Sequence, residues 1–287
     1  MKKIAIIGAG NMGGAIARGL IQAGACLPEE IVCTAKSDAT LNRMKEWNAR
    51  IGVTKDNAEA VRGADLVVLA VKPWFIEEVA EEIRSSLDFS RQIVASVAAG
   101  ITLDDLAHFL IEDYDAYVRE RWFAAAEERE PRFPDTYHEP VIFRVVPNTA
   151  VEVLSGVTFI AQQGASEQQV AYVSQLFEAL GFAMVVEEKL IPAGTSLSSC
   201  GIAFAMRYIR AAMEGGVELG FRPAEAARIV EHTVKGAATL LLESGAHPEA
   251  EIDKVTTAGG ITIKGLNAME KAGFTAAVIE GLKAANV

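Results

Sequence analysis

Short apolar runs recur from Ile4 to about Val186: KIAIIG, EIVCTA, DLVVLAV, QIVASVA, IFRVVP, GVTFIA and FAMVVE. They alternate with stretches that have helical spacing of apolar positions. Strands apolar on both faces, alternating with crossover helices, predict a parallel α/β sheet. After Glu187 the rhythm stops. From Thr195 onward the pattern is helical: a nearly all-apolar stretch around IAFAMRYIRAAMEGGVELG, a helix from Pro223 through Leu242, and more helix after the pair Gly259-Gly260. The reading is an α/β chain with a Rossmann-type parallel sheet domain over 1–187 and an all-helical domain over 188–287. A helix as apolar as residues 200–213 needs cover on most sides. The second domain alone supplies little, which predicts a homodimer built largely from it.

Residues 111–140 break the alternation and are too long for an ordinary connection. The charged residues around Trp122 and Phe123 predict a short amphipathic helix and a proline-containing loop. The segment reads as a solvated surface insertion, with a lid as the alternative.

The first strand runs directly into Gly8-Ala9-Gly10-Asn11-Met12-Gly13, with the helical AIARGLIQAG after it. In this GxGxxG pattern the glycines permit the tight turn, the close approach of backbone to a pyrophosphate and the packing of helix on strand. The helix start offers oriented N–H groups to the phosphates. At the end of the second strand an Asp or Glu would hold the ribose diol of NAD. Here Ala35 is followed by Lys36 and Ser37. A cation and a hydroxyl suit a 2′-phosphate, which favours NADPH over NADH; the alternative is a solvated lysine on a turn. Ala70-Val71-Lys72-Pro73 ends another strand at the edge where open sheets bind ligands, with Lys72 in reach of ribose or phosphate. Asn57 and Ala98 occupy comparable loop positions.

With 287 residues and 51% hydrophobic content the chain buries a sizeable core. Its formal charge of −11 removes the electrostatic basis for nucleic-acid binding, which rests on Lys and Arg neutralising phosphates. Cys26, Cys33 and Cys200 have no CxxC or His-rich spacing, so neither a disulfide framework nor a metal site is expected, and a cytoplasmic location fits. Met1-Lys2-Lys3 and the apolar run after it imitate a secretion leader, but Asn11, Arg18 and Gln22 interrupt the run. No apolar segment approaches membrane-spanning length, so no membrane partner is expected.

One C-terminal stretch, KVTTAGGITIKGL from Lys254 to Leu266, interrupts helix-forming sequence. Glycines at 259 and 260 let main-chain amides converge, and a helix beginning near Ile261 leaves its first N–H groups unpaired. A small carboxylate satisfies them. The alternative is that Thr257 caps the helix and the glycines only turn the chain.

Through IGAGNMGGAIARGL, AVKPW, SVAAGITLDDL, FRVVPNTAVEV, GGVELGF, VKGAATLLLESGAHPEAEIDKV and TTAGGITIKGL the chain resembles the pyrroline-5-carboxylate reductase family, over nearly its whole length except 111–140. The resemblance implies NAD(P)H-dependent reduction of a cyclic imino acid, pyrroline-5-carboxylate, to proline as the last step of proline synthesis. It also implies a domain-interlocked dimer, alone or as part of a higher homo-oligomer. By the same resemblance Thr257 and the backbone at Gly260 and Ile261, in a loop that includes Gly259, hold the substrate carboxylate, and the Thr262 hydroxyl faces the ring nitrogen. Glu188 falls where family members approach substrate, Lys254 where they approach cofactor. Family members carry SGSGPAY where this chain has Ser198-Ser199-Cys200-Gly201-Ile202-Ala203-Phe204, and proline where it has Ala258. These departures bear on pocket stiffness and substrate preference, not on the anion-binding turn. Two other functions stay open: a reductase or dehydrogenase of another imino or hydroxy acid, and a non-catalytic NADPH-binding protein.

Overall fold

The computed structural model describes residues 3–134 and 137–286. Tertiary contacts divide the chain into two compact units, residues 1–194 and 195–287. The first unit is built on eight strands: β1 (Ile4–Ile7), β2 (Ile31–Thr34), β3 (Gly52–Thr54), β4 (Leu66–Leu69), β5 (Ile93–Ser96), β6 (Val141–Pro147), β7 (Gly156–Gln163) and β8 (Gly181–Val185). They form one sheet in the order β3-β2-β1-β4-β5-β6-β7-β8. Its helices are α1 (Asn11–Gln22), α2 (Asp38–Trp47), α3 (Asn57–Val61), α4 (Ile76–Arg84), α5 (Leu103–Leu110), α6 (Tyr114–Ala126) and α7 (Glu167–Glu178), and a short α8 (Ile191–Thr195) leads out of it.

The sheet is buried on both faces because helices cover both. Ile4 and Ile6 of β1 join a core with Ile16 and Leu20 of α1, Met44 of α2 and Phe177 of α7. Ala5 and Ile7, on the other face, join a second core with Val61, Ile76, Ile83 and Leu106. Each fully buried Ile or Leu contributes about 1.5–3 kcal/mol relative to exposure, so these alternating residues fix the strand's register and facing.

Strands β1 to β6 run parallel, as the sequence predicts, but β7 is antiparallel to β6 and β8 is parallel to β7. The reversal follows from chain length. Only residues 148–155 join β6 to β7, and a parallel return needs a crossover of about a dozen residues or more. The chain turns back as a hairpin, and α7 then supplies the crossover to β8.

Most described residues of segment 111–140 are exposed, and a group of aromatic rings anchors the segment. Tyr117 stacks on Phe133 at 5.6 Å, and Phe133 lies 4.7 Å from Tyr137. With Tyr114, whose hydroxyl bonds the Asp104 carboxylate, these rings pack against the second core. Helix α6 is not amphipathic in a simple sense: Tyr117 and Ala124 are buried, while Val118, Trp122 and Phe123 are exposed. Asp135 and Thr136 lie outside the described residues.

The second unit contains α9 (Gly201–Glu218), α10 (Pro223–Ser244), α11 (Pro248–Lys254), α12 (Ile261–Lys271) and α13 (Phe274–Ala284), with Pro223 in the first turn of α10 as expected. It opens on a π-helical turn over Ser196–Cys200, so the altered SSCG segment coincides with a break in regular helix geometry. Among its described residues only Ser196, Ser198 and Ala226 are buried, whereas Met206, Leu240, Leu242, Ile261 and Ile279 are exposed. Among the described residues no helix is long and apolar enough to cross a membrane.

Candidate active site

Strand β1 sits where the strand order reverses, with β2 on one side and β4 on the other, and open α/β sheets bind ligands at such a point. A cleft of about 610 Å³ lies there. Its floor is the β1–α1 loop, held to β2 by two bonds: the Gly8 amide donates to the Thr34 hydroxyl at 3.1 Å and the Ala9 amide to the Thr34 carbonyl at 2.6 Å. Gly8 has φ +99°, a conformation open to glycine, and a Cβ there would stand 2.7 Å from the Val71 side chain. At Gly13 a Cβ would stand 2.2 Å from the Gly8 carbonyl oxygen. Gly13 does not line the cleft; its missing side chain lets helix and loop close. Gly10 is different, for a Cβ there meets nothing within 4 Å. That open space lies over the start of α1, whose first turn has no side-chain cap and no acidic residue. Unpaired amides beside an open glycine are what a pyrophosphate fills.

The structure brings the other sequence-predicted cofactor residues of this unit to the same cleft. Asn11 and Met12 line it from α1, Lys36 and Ser37 from the end of β2, and Asn57 from the start of α3. Ala70 to Pro73 line it from the end of β4, and Ala98 from the end of β5. Several polar groups there have intramolecular roles. The Ser37 hydroxyl caps α2, accepting from the Thr40 amide at 3.3 Å, rather than standing free. Asn57 Nδ2 donates to Glu82 at 2.8 Å. Lys36 Nζ lies 4.3 Å above the Phe75 ring and 3.5 Å from the Glu78 carboxylate, on a side chain 73% exposed. Sequence reading missed the lining residues Thr34, Thr40, Lys55 and Phe75, and the apolar Val79, Val97 and Ala99. Among the described residues the charged side chains lining the cleft are Lys36, Lys55 and Lys72, with no carboxylate among them. In a chain of 38 acidic and 27 basic residues that local excess of cations fits a phosphate-bearing ligand. The cleft fits a dinucleotide on its glycines, its uncapped helix start and its charge.

In the second unit, residues 257–260 form a tight turn: Gly259 has φ +75°, and the Gly260 amide donates to the Thr257 carbonyl at 2.9 Å. That bond corrects the expectation that the Gly260 amide holds a carboxylate, because the turn already uses it. Gly260 is instead the N-cap of α12, with no side-chain cap, so Thr257 does not cap the helix. The first amides of α12, from Ile261 onward, have no intrahelical acceptor. Thr257, Gly259, Ile261 and Thr262 are exposed around this tip. Lys254 ends α11 and pairs with Glu251 at 2.6 Å. Glu188 lies in the first unit: its Oε1 accepts from Arg144 Nη1 at 2.9 Å and from the Leu103 amide at 2.8 Å. Among the described residues no group of three or more His, Cys, Asp or Glu side chains is arranged to hold a metal ion.

A family model described as pyrroline-5-carboxylate reductase dimerisation matches residues 188–287, and one described as NADP oxidoreductase, coenzyme F420-dependent, matches residues 3–100. Pyrroline-5-carboxylate reductase 2 of Dictyostelium discoideum is 33% identical, over 98% of this chain and 90% of its own length. The chain belongs to the pyrroline-5-carboxylate reductase family. Reductase 1 of the same organism is 35% identical over 97% of this chain, which spans about half of it, 48%. A pyrroline-5-carboxylate reductase of Coxiella burnetii has a solved structure 29% identical to this chain, with TM-score 0.84, covering 99% of this chain and 96% of that one. The family's dimerisation region thus begins at Glu188 and contains the turn and the uncapped helix tip.

Proposed function

We propose that this chain catalyses NADPH-dependent reduction of 1-pyrroline-5-carboxylate to L-proline, the last step of proline synthesis, as a cytoplasmic homodimer or higher homo-oligomer. The domain boundary is taken at 187/188, with 111–140 as an insertion in the dinucleotide domain. Cofactor is held by Gly8, Gly10, Asn11, Met12, Lys36, Asn57, Ala70, Val71, Lys72, Pro73 and Ala98, with Gly13 and Ser37 shaping the loops. Lys254 joins this set and Glu188 the substrate set.

The observation that carries the reading is the capless start of α12, where the first-turn amides beginning at Ile261 have neither an intrahelical nor a side-chain acceptor. A substrate carboxylate supplies the acceptor, and Thr257 and Gly259 shape the turn before it. Bound NADPH supplies the hydride that reduces the imine carbon. The Thr262 hydroxyl, in the first turn of α12, donates a hydrogen bond to the lone pair of the neutral ring nitrogen, which draws electron density from the imine carbon and makes it a better hydride acceptor. Holding the ring by its acid group is the larger contribution, because positioning converts an encounter into a step within one complex.

NADPH consumption on adding pyrroline-5-carboxylate, and proline-dependent reduction of NADP at high pH, test this reading. Tight NADPH binding with neither activity would leave a non-catalytic binding protein. The π-helical turn over Ser196–Cys200 favours one variant, a shifted substrate range. Turnover of the six-membered imine faster than the five-membered one would support it.

A further inference from the structure

The parallel register of β2 and β3 pairs Thr34 with Thr54. Both strands end there, so Ala35-Lys36 and Lys55 leave neighbouring strands at the same level of the sheet and enter the same cleft. We infer that Lys55 is the second cation for the 2′-phosphate of NADPH, opposite Lys36, and that Asp38 is its resting counter-ion. This rests on the NADPH reading above and extends it to a residue on a different strand.

Three observations carry it. Lys36, Lys55 and Lys72 are the charged lining of the cleft, and Lys72 ends β4, on the far side of β1 from β2 and β3. Only Lys36 and Lys55 therefore serve the β2–β3 end, where Ser37 and Thr40 present hydroxyls. Each of the two pairs with a carboxylate that does not line the cleft: Lys36 with Glu78 at 3.5 Å, Lys55 with Asp38 at 2.9 Å. Both pairs are more than half exposed, and exposed ion pairs are weak. A phosphate of higher charge, accepting from both lysines, displaces those carboxylates. The β3 end thus selects the cofactor together with the β2 end.

Calorimetric titration of the full chain with 2′,5′-ADP and with 5′-AMP tests this without turnover. Lys55→Gln is expected to weaken 2′,5′-ADP about tenfold and leave 5′-AMP within about twofold, the size of one lost charge-assisted bond. Arg43→Gln serves as the control; Arg43 donates to Thr40 at 3.2 Å but does not line the cleft, and both affinities should hold. Asp38→Asn should tighten 2′,5′-ADP, and that gain should vanish in the Lys55→Gln background. Equal weakening of both nucleotides by Lys55→Gln, with a lowered unfolding midpoint, would make Lys55 a tie between loop and helix and overturn the inference. A 2′-phosphate preference that survives Lys55→Gln overturns it alone. A wild-type protein that binds neither nucleotide overturns the NADPH reading as well.

Discussion

Arg144 and Glu188 meet at 2.9 Å, and the Glu188 oxygen that takes the guanidinium also takes the Leu103 amide. One carboxylate thereby joins β6 to the first turn of α5. The Arg144 side chain is 11% exposed and that of Glu188 31%.

Removing Glu188 would leave a largely buried guanidinium without its counter-ion. Glu188→Ala should lower stability by about 1–3 kcal/mol, and Glu188→Gln, which keeps an acceptor, by less. Thermal unfolding measures this. Its place in the substrate set predicts a raised KM for pyrroline-5-carboxylate as well; an unchanged KM beside the lowered midpoint would leave Glu188 a structural tie only.

Gly10 and Gly13 separate ligand contact from packing. Gly10→Ala adds a methyl where nothing stands within 4 Å, so the unfolding midpoint should hold while NADPH affinity falls about tenfold or more. Gly13→Ala drives a Cβ into the Gly8 carbonyl and should cost stability and affinity together. Unchanged NADPH affinity in Gly10→Ala would remove the pyrophosphate from that space.

These contrasts show what the sequence makes legible. Strand β1 and its glycines are readable because local rules decide them: a four-residue apolar strand, then residues that must lack a Cβ. Lys55 is not readable, because TKDN looks like any polar turn until the pairing of Thr34 with Thr54 sets it beside Lys36. The hairpin at β7 is hidden for a similar reason, since both directions leave the same apolar pattern and connection length decides between them. In 111–140 the aromatics are visible, but the stacking of Tyr117 on Phe133 joins a helix to a distant loop.

Around α12 two substitutions should part chemistry from shape. Thr262→Ala should cut turnover about tenfold to a hundredfold and leave 2′,5′-ADP binding intact. Gly259→Ala forces a side chain into φ +75° at a cost of about 1–2 kcal/mol, distorts the turn and should raise KM more than it lowers kcat. Steady-state kinetics read both; unchanged turnover in Thr262→Ala would exclude its hydroxyl from the reaction.

Alkaline pH should loosen the first unit. Burial pushes the Cys33 thiol up to about 12 against a smaller opposing pull from Arg18, and burial together with Glu30 pushes Cys26 up to about 11, from the usual 9.0. The unfolded chain releases these protons earlier than the folded one. Their contribution is therefore intact below about pH 9 and is lost as pH rises toward 11–12. Urea midpoints should agree at pH 7 and 8 and fall above about 9, and thiol reagents should reach Cys26 and Cys33 only after unfolding. Rapid labelling of either in the native protein would contradict this burial.

The helical unit, with only Ser196, Ser198 and Ala226 buried among its described residues, has almost no interior of its own. Its interior must be lent by another polypeptide, so dilution acts on it as a denaturant does: the less protein in the tube, the earlier this half melts. A subunit with a damaged helical unit would then weaken any assembly it joins.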